Sequence, residues 1–522
     1  MTGVIYQIYP RSFMDSNGDG IGDLDGIRER LSHVAGLGVD AVWISPFYPS
    51  PMADFGYDVA DYTDVDPVFG DLVAFDRMLE TAHGLDLRVI IDWVPNHTSS
   101  AHPWFIESAS SRDSAKRDWY TWRDPAPDGG PPNNWGSVFG GSAWEWDEGS
   151  GQYYLHSFLA EQPDLNWRNS HVAAAMHDTL RFWLDRGVDG FRIDVAHHVM
   201  KDPALRDNPV NDQPLHDLAK PHGDYDRLIP VHSKGHPDVH GVFAQLRTLV
   251  DSYEGDRVLI GEIHEYDWPT WAAYYGTHND ELHMPFNFSM LYARWDASVF
   301  SGLVGDLEAS LPAGAWPNYV LGNHDEPRLV QRFGAIAARV AAMMLLTLRG
   351  TPTVYYGDEL GMMQAHIRDE DQQDPWGRRL PGAGRDGCRT PMQWSADANA
   401  GFSTVEPWLP VVDPDGCHNV EAQTGDPGSM LELYRRLLVI RRAEQSLRAG
   451  SFTPIEAPDG IFAYCREAPD AAAISVALNF TSEPATVNLG RGTVLLRTGT
   501  GGSEAVDGGL TLAGAEGVMV RH

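Results

Sequence analysis

The chain has 522 residues, 43% hydrophobic and 21% charged, with 73 acidic against 39 basic side chains and a formal charge of −34. That length exceeds one small domain and suits a large domain with one or two smaller ones. The composition excludes a disordered or fibrous chain, and the acidic balance argues against nucleic acid and anionic membranes as partners.

Val4 to Tyr9 reads as a first strand, and apolar Ile27, Leu31 and Val34 predict a helix over Ile27–Ala35. Asp40–Ile44 is a second strand and Phe75–His83 a second helix. Arg88–Asp92 is a third strand, nearly all apolar, as a strand buried on both faces should be. Residues 98–168 break the rhythm with Trp, Gly, Pro and Asn and read as an irregular inserted domain. The alternation resumes with helix 171–186, strand Gly190–Ile193, helix 240–254 and strand Val258–Glu262. A weaker strand at Leu282–Met284, a strand at Asn318–Leu321, a helix at Ala335–Leu348 and a strand at Pro352–Tyr356 complete it.

Eight strands alternating with helices predict an α/β chain, a (β/α)8 TIM barrel built from 1–97 and 169–446 with an insertion after strand 3. From 447 to 522, short alternating segments (Ile461–Tyr464, Ala473–Leu478, Ala485–Leu489, Val494–Leu496, Val518–Val520) predict a C-terminal antiparallel β domain. The three cysteines, Cys388, Cys417 and Cys465, are too few for a disulfide framework. No apolar run of about 18 residues predicts a membrane span. The early start of the first strand leads us to expect no signal segment and a cytoplasmic location.

In such a barrel the C-terminal strand ends meet at one mouth. The third strand delivers Asp92-Trp93-Val94-Pro95-Asn96-His97, the fourth Arg192 and Asp194, the fifth Glu262, and the seventh Asn323-His324-Asp325. Residues i and i+2 of a strand share a face, so Arg192 points with Asp194 and should keep it ionised as a nucleophile. Glu262 follows the apolar Val258–Ile260 run, where desolvation should raise its pKa toward that of a general acid. Paired carboxylates with split proton affinities are the apparatus of glycoside hydrolysis, at roughly 5 Å in retaining enzymes.

These segments, in this order and spacing, resemble the signature regions of glycoside hydrolase family 13, the α-amylase family. The resemblance implies Asp194 as nucleophile, Glu262 as general acid/base and Asp325 as transition-state stabiliser. It implies that His97 and His324 bind the glucosyl ring and that Arg192 orients the nucleophile. Asp54-Phe55-Gly56-Tyr57-Asp58, Gln162-Pro163-Asp164-Leu165-Asn166 and Arg389-Thr390-Pro391-Met392-Gln393-Trp394 are similar to the α-glucosidase and oligo-1,6-glucosidase group. By that resemblance Tyr57 stacks under the terminal glucose, and an Asp54–Arg389 pair closes the pocket so that cleavage is exo. Phe139 and Phe158 are candidate walls of the pocket entrance, or core of the insertion. Val195, after the nucleophile, is the residue that tends to accompany α-1,6 activity in this group.

Asp15-Ser16-Asn17-Gly18-Asp19-Gly20-Ile21-Gly22-Asp23 alternates oxygen side chains with glycines like the start of a calcium loop. Gly26 at the twelfth position excludes an EF-hand. The resemblance implies a structural Ca²⁺ or Mg²⁺ held by Asp15, Asn17, Asp19, the Ile21 carbonyl and Asp23, with no organic cofactor. The expectation is an α-glucosidase acting on small oligosaccharides or disaccharides, as a monomer or homodimer. A transglucosidase or sugar isomerase would use the same intermediate. After Asp325, however, the chain reads Glu326-Pro327-Arg328-Leu329-Val330-Gln331-Arg332, without the Arg-Leu-Asp-Arg-Asp loop of sucrose isomerases.

Overall fold

A computed structural model describes residues 3–212, 222–413, 416–499 and 504–522. Strands β1 (Ile5–Ile8), β2 (Ala41–Ile44) and β3 (Arg88–Trp93) open the barrel. Within 98–168 lie a short helix, Pro103–Ala109, and strands β4 (Trp122–Arg123), β5 (Trp144–Asp147) and β6 (Gln152–Leu155). These three form an antiparallel sheet in the order β4-β6-β5, so the stretch expected to be irregular carries a small sheet of its own. Its Trp and Tyr residues alternate across the strands and pack on one another, a pairing that a reading of turn residues alone passes over.

The barrel continues with β7 (Gly190–Ile193), β8 (Val258–Ile263), β9 (Met284–Asn287), β10 (Asn318–Val320) and β11 (Thr351–Tyr355). The parallel sheet runs β10-β11-β1-β2-β3-β7-β8-β9. Its ends, β9 and β10, meet at a seam bridged by one side chain: Asn318 donates to the Pro285 carbonyl and accepts from the Asn287 N–H at 3.2 Å. The sixth strand starts at Met284, two residues later than the sequence predicts. Leu282 instead packs its side chain over Gly261 and donates its N–H to the Tyr274 carbonyl.

Alternation along the strands sorts the residues into two layers. Ile5, Trp43, Ile90, Val258, Ile260 and Phe286 cluster inside the barrel, while Tyr6, Val42, Val89, Phe191 and Leu259 face the surrounding helices. On this parity Asp92, Arg192, Asp194 and Glu262 all continue the inner layer at the C-terminal rim. The register puts Asp92 opposite Arg192 and Arg192 opposite Ile260, two residues before Glu262. The helices pack outside; Asp23 caps the first, Leu24–Leu37, by accepting from the Gly26 N–H, and Gly38 ends it at φ 95°.

A six-stranded antiparallel sheet follows: β12 (Ser451–Ile455), β13 (Ile461–Glu467), β14 (Ile474–Asn479), β15 (Ala485–Arg497), β16 (Ala505–Leu512) and β17 (Gly517–Arg521). Two segments predicted separately, Ala485–Leu489 and Val494–Leu496, are one strand interrupted by irregular register near Gly490. Tyr464 and Arg466 bind Thr347 at the end of the buried helix Ala335–Thr347, which fastens this sheet to the barrel. Among the described residues no helix is long and apolar enough to cross a membrane.

Gly190 begins the strand that carries Arg192, and a Cβ there would lie 2.4 Å from Val258 Cγ2 and 2.6 Å from the Val258 carbonyl oxygen. Overpacking of this kind costs about 1–3 kcal/mol. Gly190→Ala should lower the calorimetric Tm and reduce activity with it; an unchanged Tm would contradict the close β7–β8 approach.

Candidate active site

One guanidinium organises the barrel mouth. Buried Arg192 donates from Nη1 to Asp92 Oδ1 at 2.7 Å and Asp194 Oδ1 at 2.8 Å, and from Nη2 to Glu262 Oε2 at 2.6 Å. It lies over the rings of Trp43 and Tyr57, 5.1 and 5.9 Å from their centroids. Trp43 Nε1 also donates to Asp92 at 3.0 Å. Val195, directly after the nucleophile, has φ 35°, and its N–H donates to Glu262 Oε2 at 2.9 Å. The remaining Glu262 oxygen, Oε1, contacts His264 Nε2 at 2.8 Å.

The two catalytic carboxyls shift in directions opposite to those expected from the sequence. Burial pushes the Asp194 carboxyl well above the carboxylate range; Arg192 opposes this, while the neighbouring Glu262 and Asp92 charges add to it. Burial also raises Asp92, to about 6 despite Arg192. For Glu262 burial is outweighed by Arg192 and by the hydrogen bond from His264, which bring it down to about 2. The rise expected at Glu262 from its apolar approach is thus overruled by its donors, and Asp194 is the carboxyl that burial raises. Arg192 was assigned to Asp194 alone, whereas it serves three carboxylates.

Across the pocket, burial pushes Asp325 upward, but His324, Arg385 and Arg389 together hold its carboxylate ionised, far below the usual range. Its contacts are Arg389 Nη2 at 3.0 Å, Arg385 Nη1 at 3.2 Å and His324 Nε2 at 3.4 Å. Tyr57 stacks on His324 with 4° between the rings and shares a 2.6 Å hydrogen bond with it. Burial lowers His324 to about 3 and His97 to about 4, so both rings are neutral. A neutral imidazole can accept from or donate to a sugar hydroxyl.

The expected Asp54–Arg389 pair does not form. Asp54 pairs with Arg385 at 2.7 Å, and Arg385 is fixed from behind by Asp374 at 2.6 Å. Arg389 instead donates Nε to the His324 carbonyl and Nη2 to Asp325. The two arginines stand four residues apart around the short turn Asp386–Cys388, and spacing alone does not choose between them. Gln162 joins the same wall, donating to Asp54 at 3.2 Å. Asp164, two residues on, takes Lys201 Nζ at 2.7 Å and Asn96 Nδ2 at 3.0 Å, which ties the inserted segment to the end of β3.

All three acids line one cavity of about 470 Å³, together with Asp54, Tyr57, His97 and His324. Phe139 and Phe158 also line it and at the same time form a small buried cluster with Val195 and Trp376. Gln162, legible in sequence only as part of its motif, faces this cavity, as do Arg385 and His264, which no motif singles out, with Asp374 behind Arg385. Arg385 beside the Arg389 motif was the available signal; Asp374 and His264 carry none.

The 15–23 loop has hard oxygen donors suited to Ca²⁺ or Mg²⁺. In this structure those oxygens serve the loop itself. Asp15 accepts from the Asn17, Gly18 and Gly20 N–H groups and the Ser403 hydroxyl, and Asp23 accepts from Ser16 and Gly26. Among the described residues, no three His, Cys, Asp or Glu side chains are gathered to hold a metal ion. The donor chemistry fits the ion; the three carboxylates are spread along the curl.

A (β/α)8 barrel presenting two acids on one guanidinium, with a third facing them across a pocket, defines a glycoside hydrolase. The family profile described as "Alpha amylase, catalytic domain" matches residues 7–450. A probable alpha-glucosidase of Rhizobium meliloti (strain 1021) is 44% identical over 475 residues, covering 89% of this chain and 86% of the relative. An oligo-1,6-glucosidase of Heyndrickxia coagulans is 38% identical over 507 residues, 89% of each. Among solved structures, the alpha-glucosyl transfer enzyme XgtA has a TM-score of 0.93 and 43% identity, covering 100% of this chain and 98% of that one. The trehalulose synthase MutB of Pseudomonas mesoacidophila MX-45 has a TM-score of 0.89 and 35% identity, with the same coverage. The chain belongs to the α-amylase family, glycoside hydrolase family 13, in the group with α-glucosidases and oligo-1,6-glucosidases.

Asp194 and Glu262 lie on one guanidinium and titrate as a pair, which a bell-shaped kcat/KM profile reports. Asp92 raises the proton affinity of that pair by like charge. Asp92→Asn should therefore move both limbs to lower pH, by about one unit. A profile that stays in place would remove Asp92 from the electrostatics of the cluster.

Proposed function

We propose that the protein is a retaining, exo-acting α-glucosidase that releases glucose from the non-reducing end of maltose, isomaltose or short α-glucosides. The observation that carries this reading is the Asp194–Arg192–Glu262 bridge at the base of a pocket backed by Asp54, Arg385 and Asp374. A wall of buried ion pairs behind the sugar leaves no continuation for a chain, so only a terminal unit enters.

Asp194 attacks the anomeric carbon to form a β-glucosyl ester while Glu262 protonates the leaving oxygen; Glu262 then takes a proton from water, which displaces Asp194. Glu262 carries a proton in the productive complex, whereas Arg192 and His264 favour its ionised form once that proton has been delivered. Asp325, ionised and facing them, stabilises the oxocarbenium-like transition state.

A second reading, transfer of the glucosyl unit to a sugar, is supported by the solved relatives named for such reactions and by the apolar entrance of Phe139, Phe158 and Trp376. Linkage preference rests on Val195, which follows the nucleophile and lines the same cavity. Three cysteines in 522 residues are too few for a disulfide framework, and we infer a cytoplasmic enzyme. A structural Ca²⁺ or Mg²⁺ on Asp15, Asn17, Asp19, the Ile21 carbonyl and Asp23 would brace the turn between β1 and its helix.

Two experiments test these proposals. Incubation with maltose, isomaltose, sucrose and trehalose, followed by chromatography, should give glucose from the first two, with Asp194→Ala reducing turnover by at least about 10³-fold. Isomeric disaccharide without glucose would overturn the hydrolase reading in favour of the second. Removal of divalent cations with EDTA should lower the Tm, restored by Ca²⁺ or Mg²⁺; an unchanged Tm would leave the loop self-supporting.

A further inference from the structure

His264 stands two residues after Glu262 at the end of β8 and belongs to none of the signature segments. Its Nε2 lies 2.8 Å from Glu262 Oε1. Its ring is stacked on Phe288, 4.6 Å between centroids and 14° between planes, so its orientation is set by the end of β9. The charged and titratable groups around it are Glu262 and Glu265 on its own segment, and His197 and His198 from the turn after β7. Lys234 completes the set, with its Nζ 3.5 Å from the His264 carbonyl and 3.9 Å from Glu265.

The two oxygens of Glu262 are not equivalent. Oε2 already accepts from Arg192 Nη2 and the Val195 N–H. The proton that Glu262 delivers to a leaving group therefore resides on Oε1, the oxygen facing His264. An N–H aimed at Oε1 strengthens as that proton departs and the carboxylate forms, so it stabilises the transition state more than the ground state. The same contact weakens Glu262 as a base in the second step. We propose that His264 is a positioning residue that holds Glu262 Oε1 toward the glycosidic oxygen and sets the proton affinity of the acid. In the acid step the Oε1–H bond breaks and the leaving oxygen gains the proton. The His264 Nε2–H donates to the oxygen left behind.

This inference rests on the glucosidase reading and names a further residue for it. The test compares wild type with His264→Phe, which removes the donor, and His264→Gln, which retains an N–H. Kinetics with maltose and with 4-nitrophenyl α-glucoside, across pH, form the readout. Loss of a donor to the carboxylate raises the proton affinity of the Asp194–Glu262 pair, so the kcat/KM profile of His264→Phe should move to higher pH by about one unit, a tenfold change in affinity. Its kcat on maltose, a poor leaving group, should fall at least about tenfold more than on the nitrophenyl substrate, with KM within threefold, and His264→Gln should recover most of both effects. An unmoved profile with equal losses on the two substrates, or no rescue by Gln, would overturn the role of His264. A wild type that cleaves neither substrate would overturn the glucosidase reading, and this inference with it.

Discussion

Three carboxylates buried around one guanidinium is the interaction on which the rest of the site depends. A lone buried charge is too costly to keep, and Arg192 is the cation that offsets Asp92, Asp194 and Glu262 together. One positive charge does not neutralise three negative ones, so burial raises Asp92 and Asp194 despite Arg192. Small differences in contact set the carboxyls apart. Glu262 has Arg192, the Val195 N–H and His264; Asp194 has Arg192 alone among these. The asymmetry of the pair is thus built from hydrogen-bond donors, which lower Glu262 although a glutamate is intrinsically the weaker acid.

The barrel serves this cluster through register. The β3–β7 and β7–β8 pairings place Asp92, Arg192 and Glu262 on three neighbouring strands in the same inward layer, within reach of one planar fork. The opposite wall is assembled from segments far apart in the chain. Asp54 lies after β2, His324 and Asp325 after β10, and Arg385 and Arg389 after β11. Their ion pairs knit those loops together as they form the pocket, so the same contacts close the sugar site and hold its rim.

The strands that could be read from sequence were those with uninterrupted β-branched runs, such as Arg88–Trp93 and Val258–Ile263, and the acids at their ends followed from period-2 alternation. β9 was displaced because Met-Pro-Phe-Asn has little intrinsic strand character and is fixed by its partner β8. β15 was split because Gly490 mimics a turn. The choice between Arg385 and Arg389 turned on the path of one short turn, which no residue spacing encodes. The direction of the Glu262 shift is illegible for a related reason: desolvation is visible in the apolar run before it, but the donors that overrule it come from β7 and from His264.

Val195 holds a left-handed backbone conformation with a side chain branched at Cβ, a combination that costs about 1–3 kcal/mol. The strained peptide is what turns the Val195 N–H onto Glu262, so the tension sits one bond away from the nucleophile. The loop after β7 therefore behaves as a loaded spring whose release would reward folding while blunting the chemistry. In this chain the pressure for thermal robustness and the pressure for turnover pull on the same peptide unit in opposite directions.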